Sequence, residues 1–158
     1  MGRKRSKNRK MKNLLQNPIF ILVIRLFLGA LFIFASLDKI ADPQSFARSI
    51  DNYHIIPFGL ENSVAVILPW LELLIGLGLV VGCMVDGAAI ISMSLLVIFI
   101  VAISSAILRG YNIDCGCGLK EGELVGTQKL LENTILFLMG WVILNRPSPL
   151  YEIFPKSD

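Results

Sequence analysis

The stretch PIFILVIRLFLGALFIFASL, residues 18–37, decides the class of this protein. It contains a single charged side chain, Arg25, and a helix of this length spans about 30 Å, the thickness of the hydrocarbon core of a bilayer. A secretory signal peptide has a shorter apolar run, of about 7–15 residues, and ends in a cleavage site of small residues. No such site follows here. The stretch therefore predicts a retained membrane-spanning helix.

Three further apolar runs follow, at residues 63–82, 87–108 and 127–144. Hydrophobic residues make up 54% of the 158-residue chain and charged residues 17%, whereas soluble domains have about 45–50% and about 25%. The runs leave no room for a separate soluble domain. The sequence thus predicts an all-α protein, a four-helix bundle integral to the lipid bilayer, at residues 18–145. A basic arm at 1–17 precedes it, and a polar tail at 146–158 follows.

The basic arm contains seven of the fifteen lysines and arginines of the chain within its first twelve positions. A basic run beside a span normally stays in the cytoplasm and sets the topology. It accounts for the formal charge of +3 without a nucleic-acid partner. Four spans then place the arm and the tail on the cytoplasmic side of the inner membrane. The segments 38–62 and 109–126 are expected outside, in the periplasm or its equivalent.

The segment after the first span begins with a helix-start signal. Asp42 is suited to the N-cap and Pro43 to the first helical position. Phe46, Ile50 and Tyr53 then recur at helical spacing and form one apolar stripe. We expect a short interfacial helix at 43–53, lying over the outer ends of the spans. His54, the one histidine of the chain, follows it and is either a proton relay or a solvated loop residue.

The second outer segment contains the cysteine pair Cys115-Gly116-Cys117. Gly116 has no Cβ and lets the backbone fold tightly, so the two thiols can close a small ring. Strained, exposed disulfides are the labile or catalytic ones. The pair is therefore a candidate for redox chemistry, with a structural turn or a metal site as the alternatives. Disulfides persist outside the cytoplasm, so the predicted topology agrees with this chemistry.

Among the ionisable residues within the predicted spans, Arg25, Glu72 and Glu132 are the candidate site residues. Charges in a span are costly and normally pair or face a polar cavity. If the first two spans run antiparallel, Arg25 and Glu72 are expected to form an ion pair; the same residues would suit a quinone headgroup or a proton. Glu132 lies in the first turns of the fourth span, beneath the cysteine pair. It either accepts hydrogen bonds from the loop or carries protons for thiol chemistry.

Two blocks of this chain resemble the MauE/DoxX family of membrane proteins. They are FASLDKIADPQSF at residues 34–46, continued by NYHIIP at 52–57, and LPWLELLIGLGL at 68–79. The Cys115-Gly116-Cys117 loop resembles the MauE branch in particular. The resemblance implies a four-helix membrane bundle with a redox role. In the MauE branch that role is the maturation of periplasmic methylamine dehydrogenase alongside a thioredoxin-like partner. Some DoxX-type relatives pass electrons to quinone.

These observations lead to one main hypothesis. Cys115 and Cys117 would exchange disulfides with a periplasmic thioredoxin-like protein, and electrons would pass to or from a quinone near Arg25, Glu72 or Glu132. In a second hypothesis the chain is a non-catalytic membrane scaffold or assembly factor, and the cysteine pair only stiffens a docking loop. A third, small-solute transport, rests on Arg25 and Glu72 alone.

Overall fold

The computed structural model describes residues 17–53, 59–109, 127–146 and 152–153. Within these ranges the regular structure consists of five helices and no strand. The helices are α1 (Pro18–Ala41), α2 (Pro43–Asn52), α3 (Glu61–Val81), α4 (Val85–Leu108) and α5 (Thr127–Leu144). The prediction of an all-α protein is confirmed for this part of the chain.

Three of the described helices, α1, α3 and α4, are long and apolar enough to cross a membrane. Their outward faces carry large exposed hydrophobic side chains such as Phe34, Ile67 and Ile98, which water would not solvate but lipid would. The chain is therefore a multi-pass membrane protein. α5 has 18 residues and is less apolar, because Lys129, Glu132 and Asn133 lie in its first two turns.

Local signals explain where the helices begin and end. The side chain of Asn17 accepts a hydrogen bond from the amide of Ile19, and Pro18 follows at the first helical position. Asp42 Oδ1 accepts from the amide of Ser45 at 3.0 Å, so the predicted N-cap of α2 is confirmed. α3 ends at Gly82, whose φ of 82° is left-handed and favours glycine.

The first and third helices are in contact through two glycines. A Cβ on Gly29 would lie 2.9 Å from the carbonyl oxygen of Gly76, and a Cβ on Gly76 would lie 2.8 Å from that of Gly29. α1 and α3 can approach this closely only because both positions lack a side chain. The contact fixes the register of the antiparallel pair.

The connecting segments define two ends of the helical domain. At the first, which we call the loop end, α1 and α4 finish and α3 and α5 begin. There Phe46 and Ala47 of α2 pack against Ala65 of α3, and Tyr53 packs against a cluster that includes Ile103. At the opposite end, which we call the tail end, the amide of Ile153 donates to the carbonyl of Gly82 at 2.9 Å.

The burial of Tyr53 gives a testable titration. Loss of solvation raises the pKa of this phenol from its ordinary value to about 12. The folded state thus favours the neutral phenol. The contribution of Tyr53 to the free energy of unfolding is fully present below about pH 10 and is lost as the pH rises towards the folded-state pKa. A spectrophotometric titration should show a phenol that ionises only near this raised pKa and that is absent in Tyr53→Phe. If Tyr53→Phe instead removed a phenol that titrates at the usual pKa of tyrosine, the burial of Tyr53 at the loop end would be contradicted.

Candidate functional site

A deeply buried ion pair joins Lys39 at the end of α1 to Glu72 of α3. Lys39 Nζ lies 2.7 Å from both Oε1 and Oε2 of Glu72, and both residues are almost inaccessible, at 5% and 2% exposed. The ammonium also lies 5.0 Å from the ring centroid of Phe46 and 5.3 Å from that of Phe99. These two rings stabilise the charge further through cation–π contacts.

The predicted Arg25–Glu72 ion pair is therefore wrong. Gly76 lies beside Gly29 and Ile33 of α1, and Glu72 lies one turn nearer the loop end. Arg25 is therefore more than two turns, or about 15 Å, from the level of Glu72. Helical side chains also lean towards the N-terminus of their helix. Arg25 thus points away from Glu72, whereas Lys39 leans down towards it. Counting residues from the span ends neglected both the register and this direction.

A second charged group lies on the first turns of α5. Lys129 Nζ is 3.0 Å from Glu132 Oε2, and the side-chain amide of Asn133 donates to the carbonyl of Lys129 at 2.9 Å. Lys129 is buried, but the side chain of Glu132 is 43% exposed. Glu132 therefore lies at the edge of the helical domain with a cation fixed beside it.

Both charged groups face one cavity of about 80 Å³ at the loop end. Its lining residues are Leu31, Phe32, Ala35, Lys39, Glu72, Leu96, Phe99, Lys129, Glu132, Asn133 and Leu136. The walls are apolar, and the polar groups amount to two ammonium–carboxylate pairs and one amide. Of the predicted site residues, the cavity brings Glu72 and Glu132 together and leaves Arg25 out.

The predicted catalytic residues Cys115 and Cys117 lie outside the described residues, as does His54. The segment that contains the two cysteines leaves the described structure after Arg109 and returns at Thr127. Both positions belong to the loop end, where the cavity lies. Cys83, a free and partly buried cysteine, lies at the tail end, between α3 and α4.

Sequence reasoning missed Lys39 as a site residue. The apolar run of the first span ends at Leu37, whereas α1 continues to Ala41 and so includes Lys39. A long lysine side chain near the end of a span can lie along the helix, so that its charge is several ångströms from its Cα. Among the described residues, Glu72 is the one buried carboxylate on the adjacent antiparallel helix α3. The sequence signal that could have identified Lys39 is therefore a lysine near the C-terminal end of the first span, because its side chain is directed towards the single acidic residue of the second span.

Arg25 belongs to a separate charged cluster at the tail end. Glu152 binds Arg146 through two hydrogen bonds of 2.6 Å, to Nε and Nη2, and its Oε1 lies 3.6 Å from Arg25 Nη1. Arg146 also donates to Asp86 of α4. Burial lowers the pKa of the Arg146 guanidinium, but its hydrogen bonds to Glu152 and Asp86 outweigh that effect and raise it. The cluster fastens the C-terminal segment to α1 and α4.

Removing the Glu152 carboxylate should release this segment. Glu152→Ala would leave two buried guanidiniums with fewer acceptors, and hydrogen bonds to charged groups contribute about 1.5–3 kcal/mol. We expect cleavage of this C-terminal segment by an added protease of broad specificity, such as subtilisin, to become about tenfold faster or more, because cleavage follows local opening. Glu61→Ala, at the partly buried start of α3, is the matched control. Equal cleavage rates in the two variants would contradict the fastening role.

The comparisons with known proteins agree on one family. Residues 17–146 match the family model described as methylamine utilisation protein MauE. The chain is 33% identical over 137 residues to methylamine utilization protein MauE of Paracoccus denitrificans, covering 84% of this chain and 73% of that protein. The identity is 36% over 112 residues for the protein of the same name from Methylorubrum extorquens, covering 68% of this chain and 60% of that one.

A third relative of that name, from Paracoccus versutus, is 36% identical over 115 residues, covering 70% of this chain and 62% of its own. The matched part of this chain thus spans less than two thirds of the length of the last two relatives. No solved structure matches the chain at a significant level. The family match covers the helices that build the cavity and the segment between Arg109 and Thr127, and the chain therefore belongs to the MauE family.

Proposed function

We propose that this protein is a membrane thiol–disulfide redox protein that serves methylamine utilisation. In this proposal Cys115 and Cys117 exchange disulfides on the outer face with a thioredoxin-like periplasmic protein, in support of the maturation of an enzyme such as methylamine dehydrogenase. The names of the MauE relatives support the metabolic setting. The cysteine pair supports the chemistry.

One observation carries the proposal. The chain segment with the two cysteines begins and ends at the loop end, and the loop end holds the cavity with its charged groups. Thiol exchange releases and takes up protons, and a thiolate is the attacking species. A thiol pair on a segment that joins the helical domain at the end with these ammonium and carboxylate groups is therefore suited to that chemistry, while Cys83 at the tail end is not.

The topology that goes with this proposal has four spans. α5 would be about 27 Å long at 1.5 Å per residue, which is close to the hydrocarbon thickness of about 30 Å. Residues 1–17 would lie in the cytoplasm, because basic segments beside a span are retained on the cytoplasmic side of the inner membrane. With four spans, residues 146–158 would lie on the same side. α2 would lie at the outer interface with Phe46 turned inward.

The exchange balances as two linked steps. A thiolate of one protein attacks the disulfide of the other, and a mixed disulfide forms. The second thiolate of the attacking protein then attacks this mixed disulfide and releases the other protein as a dithiol, so that one dithiol is oxidised and one disulfide is reduced. A carrier within the bilayer must then take or supply two electrons and two protons. We propose a quinone: a dithiol and a quinone give a disulfide and a hydroquinone, in either direction.

Serine substitution of the cysteines tests the proposal. Cys115→Ser and Cys117→Ser, singly and together, should abolish disulfide exchange with a thioredoxin-like partner and the maturation of methylamine dehydrogenase in cells. Cys83→Ser is the matched control and should retain both. If the outer-cysteine variants kept partial function with lowered stability, the chain would be a scaffold with a stiffened loop, and the redox proposal would be wrong.

A further inference from the structure

We infer that the cavity at the loop end is the binding site for the quinone headgroup, with Lys39 and Glu72 as its main polar contacts. This inference rests on the proposed function and gives that function a location. It moves the site away from Arg25, which lies at the tail end. It adds Lys39 and Lys129, which the sequence did not indicate, and Asn133.

The charges of the cavity match a neutral ligand. Lys39 is neutralised by Glu72 at 2.7 Å, and Lys129 is paired with Glu132 at 3.0 Å. A free anion at Lys39 or a free cation at Glu72 would have to break a buried pair, which is strongly unfavourable. A neutral ligand can hydrogen-bond to both members of a pair without separating them.

The polar groups also match both redox forms of a quinone. A quinone carbonyl only accepts hydrogen bonds, and the ammonium groups of Lys39 and Lys129 are donors. A hydroquinone hydroxyl also donates, and the carboxylates of Glu72 and Glu132 accept. Each pair thus offers a donor and an acceptor side by side. Reduction adds two electrons and two protons to the ring oxygens, and oxidation removes them, with the pair as the nearest proton-exchanging groups.

The size and the walls fit a ring. A single water occupies a cavity of about 10–15 Å³. This cavity measures about 80 Å³ and therefore has room for several waters. Phe32, Leu96 and Phe99 supply apolar and aromatic walls. Because the partly buried lining residues Ala35, Glu132 and Leu136 lie on α1 and α5, we place the mouth of the cavity between these two helices. A headgroup could enter there from the bilayer while its tail stays in lipid.

Binding of decylubiquinone to the full-length protein in nanodiscs tests the inference. The protein should carry Cys115→Ser and Cys117→Ser, so that binding is measured without thiol chemistry. Ala35→Leu fills the cavity without touching a charge, and Ala30→Leu, on the same helix and away from the lining, is its matched control. The double variant Lys39→Met/Glu72→Met removes the main polar contacts without leaving an unpaired charge.

We expect saturable binding in the Cys115→Ser/Cys117→Ser protein, a loss of affinity of about tenfold or more when Ala35→Leu or Lys39→Met/Glu72→Met is added, and no loss with Ala30→Leu. No saturable binding in the Cys115→Ser/Cys117→Ser protein, or equal affinity in Ala35→Leu and Ala30→Leu, would overturn the inference. Disulfide exchange by the wild-type protein would then still support the proposed function. Conversely, saturable binding with inert cysteines would leave the site standing and overturn the thiol proposal.

Discussion

Replacing Lys39 by methionine is expected to lower the free energy of unfolding by about 3–5 kcal/mol, because it leaves the carboxylate of Glu72 buried without its partner. Glu72 is 2% exposed and both of its oxygens lie 2.7 Å from Lys39 Nζ. Methionine keeps most of the length of the lysine side chain but provides no charge. Thermal or denaturant unfolding of the purified protein in detergent measures the loss.

Two comparisons isolate the charge. Lys39→Met/Glu72→Met should recover most of the lost stability, since replacing both members of a buried pair by apolar residues is often neutral or stabilising. Lys129→Met should cost much less than Lys39→Met, because its partner Glu132 is 43% exposed and can be solvated. A single Lys39→Met variant as stable as the double variant would show that Glu72 has another partner.

We expect Gly76→Leu to have the second largest effect on stability. It should lower the free energy of unfolding by about 3 kcal/mol or prevent folding. A Cβ at this position would lie 2.7 Å from Ile33 Cγ1 and 2.8 Å from the backbone oxygen of Gly29. A backbone oxygen cannot move aside as a flexible side chain can, so α1 and α3 would have to separate. That separation would also displace Glu72 from Lys39.

Matched glycines give the controls for this steric argument. Gly87→Leu, where nothing lies within 4 Å of an added Cβ, should be tolerated or slightly stabilising, because glycine is a poor helix former. Gly140→Ala should fall between the two, since its nearest neighbour is Met93 Cγ at 2.8 Å, part of a flexible side chain. Equal unfolding curves for Gly76→Leu and Gly87→Leu would contradict the close contact.

The features that the sequence predicted well are local. Runs of apolar residues predicted the membrane helices α1, α3 and α4 to within a few residues of their ends. Asp42 and Pro43 predicted the start of α2, because capping depends on neighbouring residues alone. Apolar periodicity likewise placed Phe46 on the buried face.

The features that the sequence did not predict depend on how distant segments pack. Arg25 and Glu72 were matched by their depth in the membrane, but the partner of each is set by helix register and side-chain direction. Glu152 gave no signal in a polar tail, although it is buried against Arg146 and Arg25. The cavity is formed by four helices at once, so no single stretch of sequence indicates it.

The most direct test of the proposed redox role is the sidedness and redox state of Cys115 and Cys117. Intact cells would be treated with a membrane-impermeant thiol reagent, with and without prior mild reduction, in a Cys83→Ser background so that only the outer pair can react. The proposal predicts labelling only after reduction, which would identify an oxidised, reducible pair on the outer face. No labelling under either condition would place the cysteines out of reach from outside and contradict both the topology and the exchange mechanism.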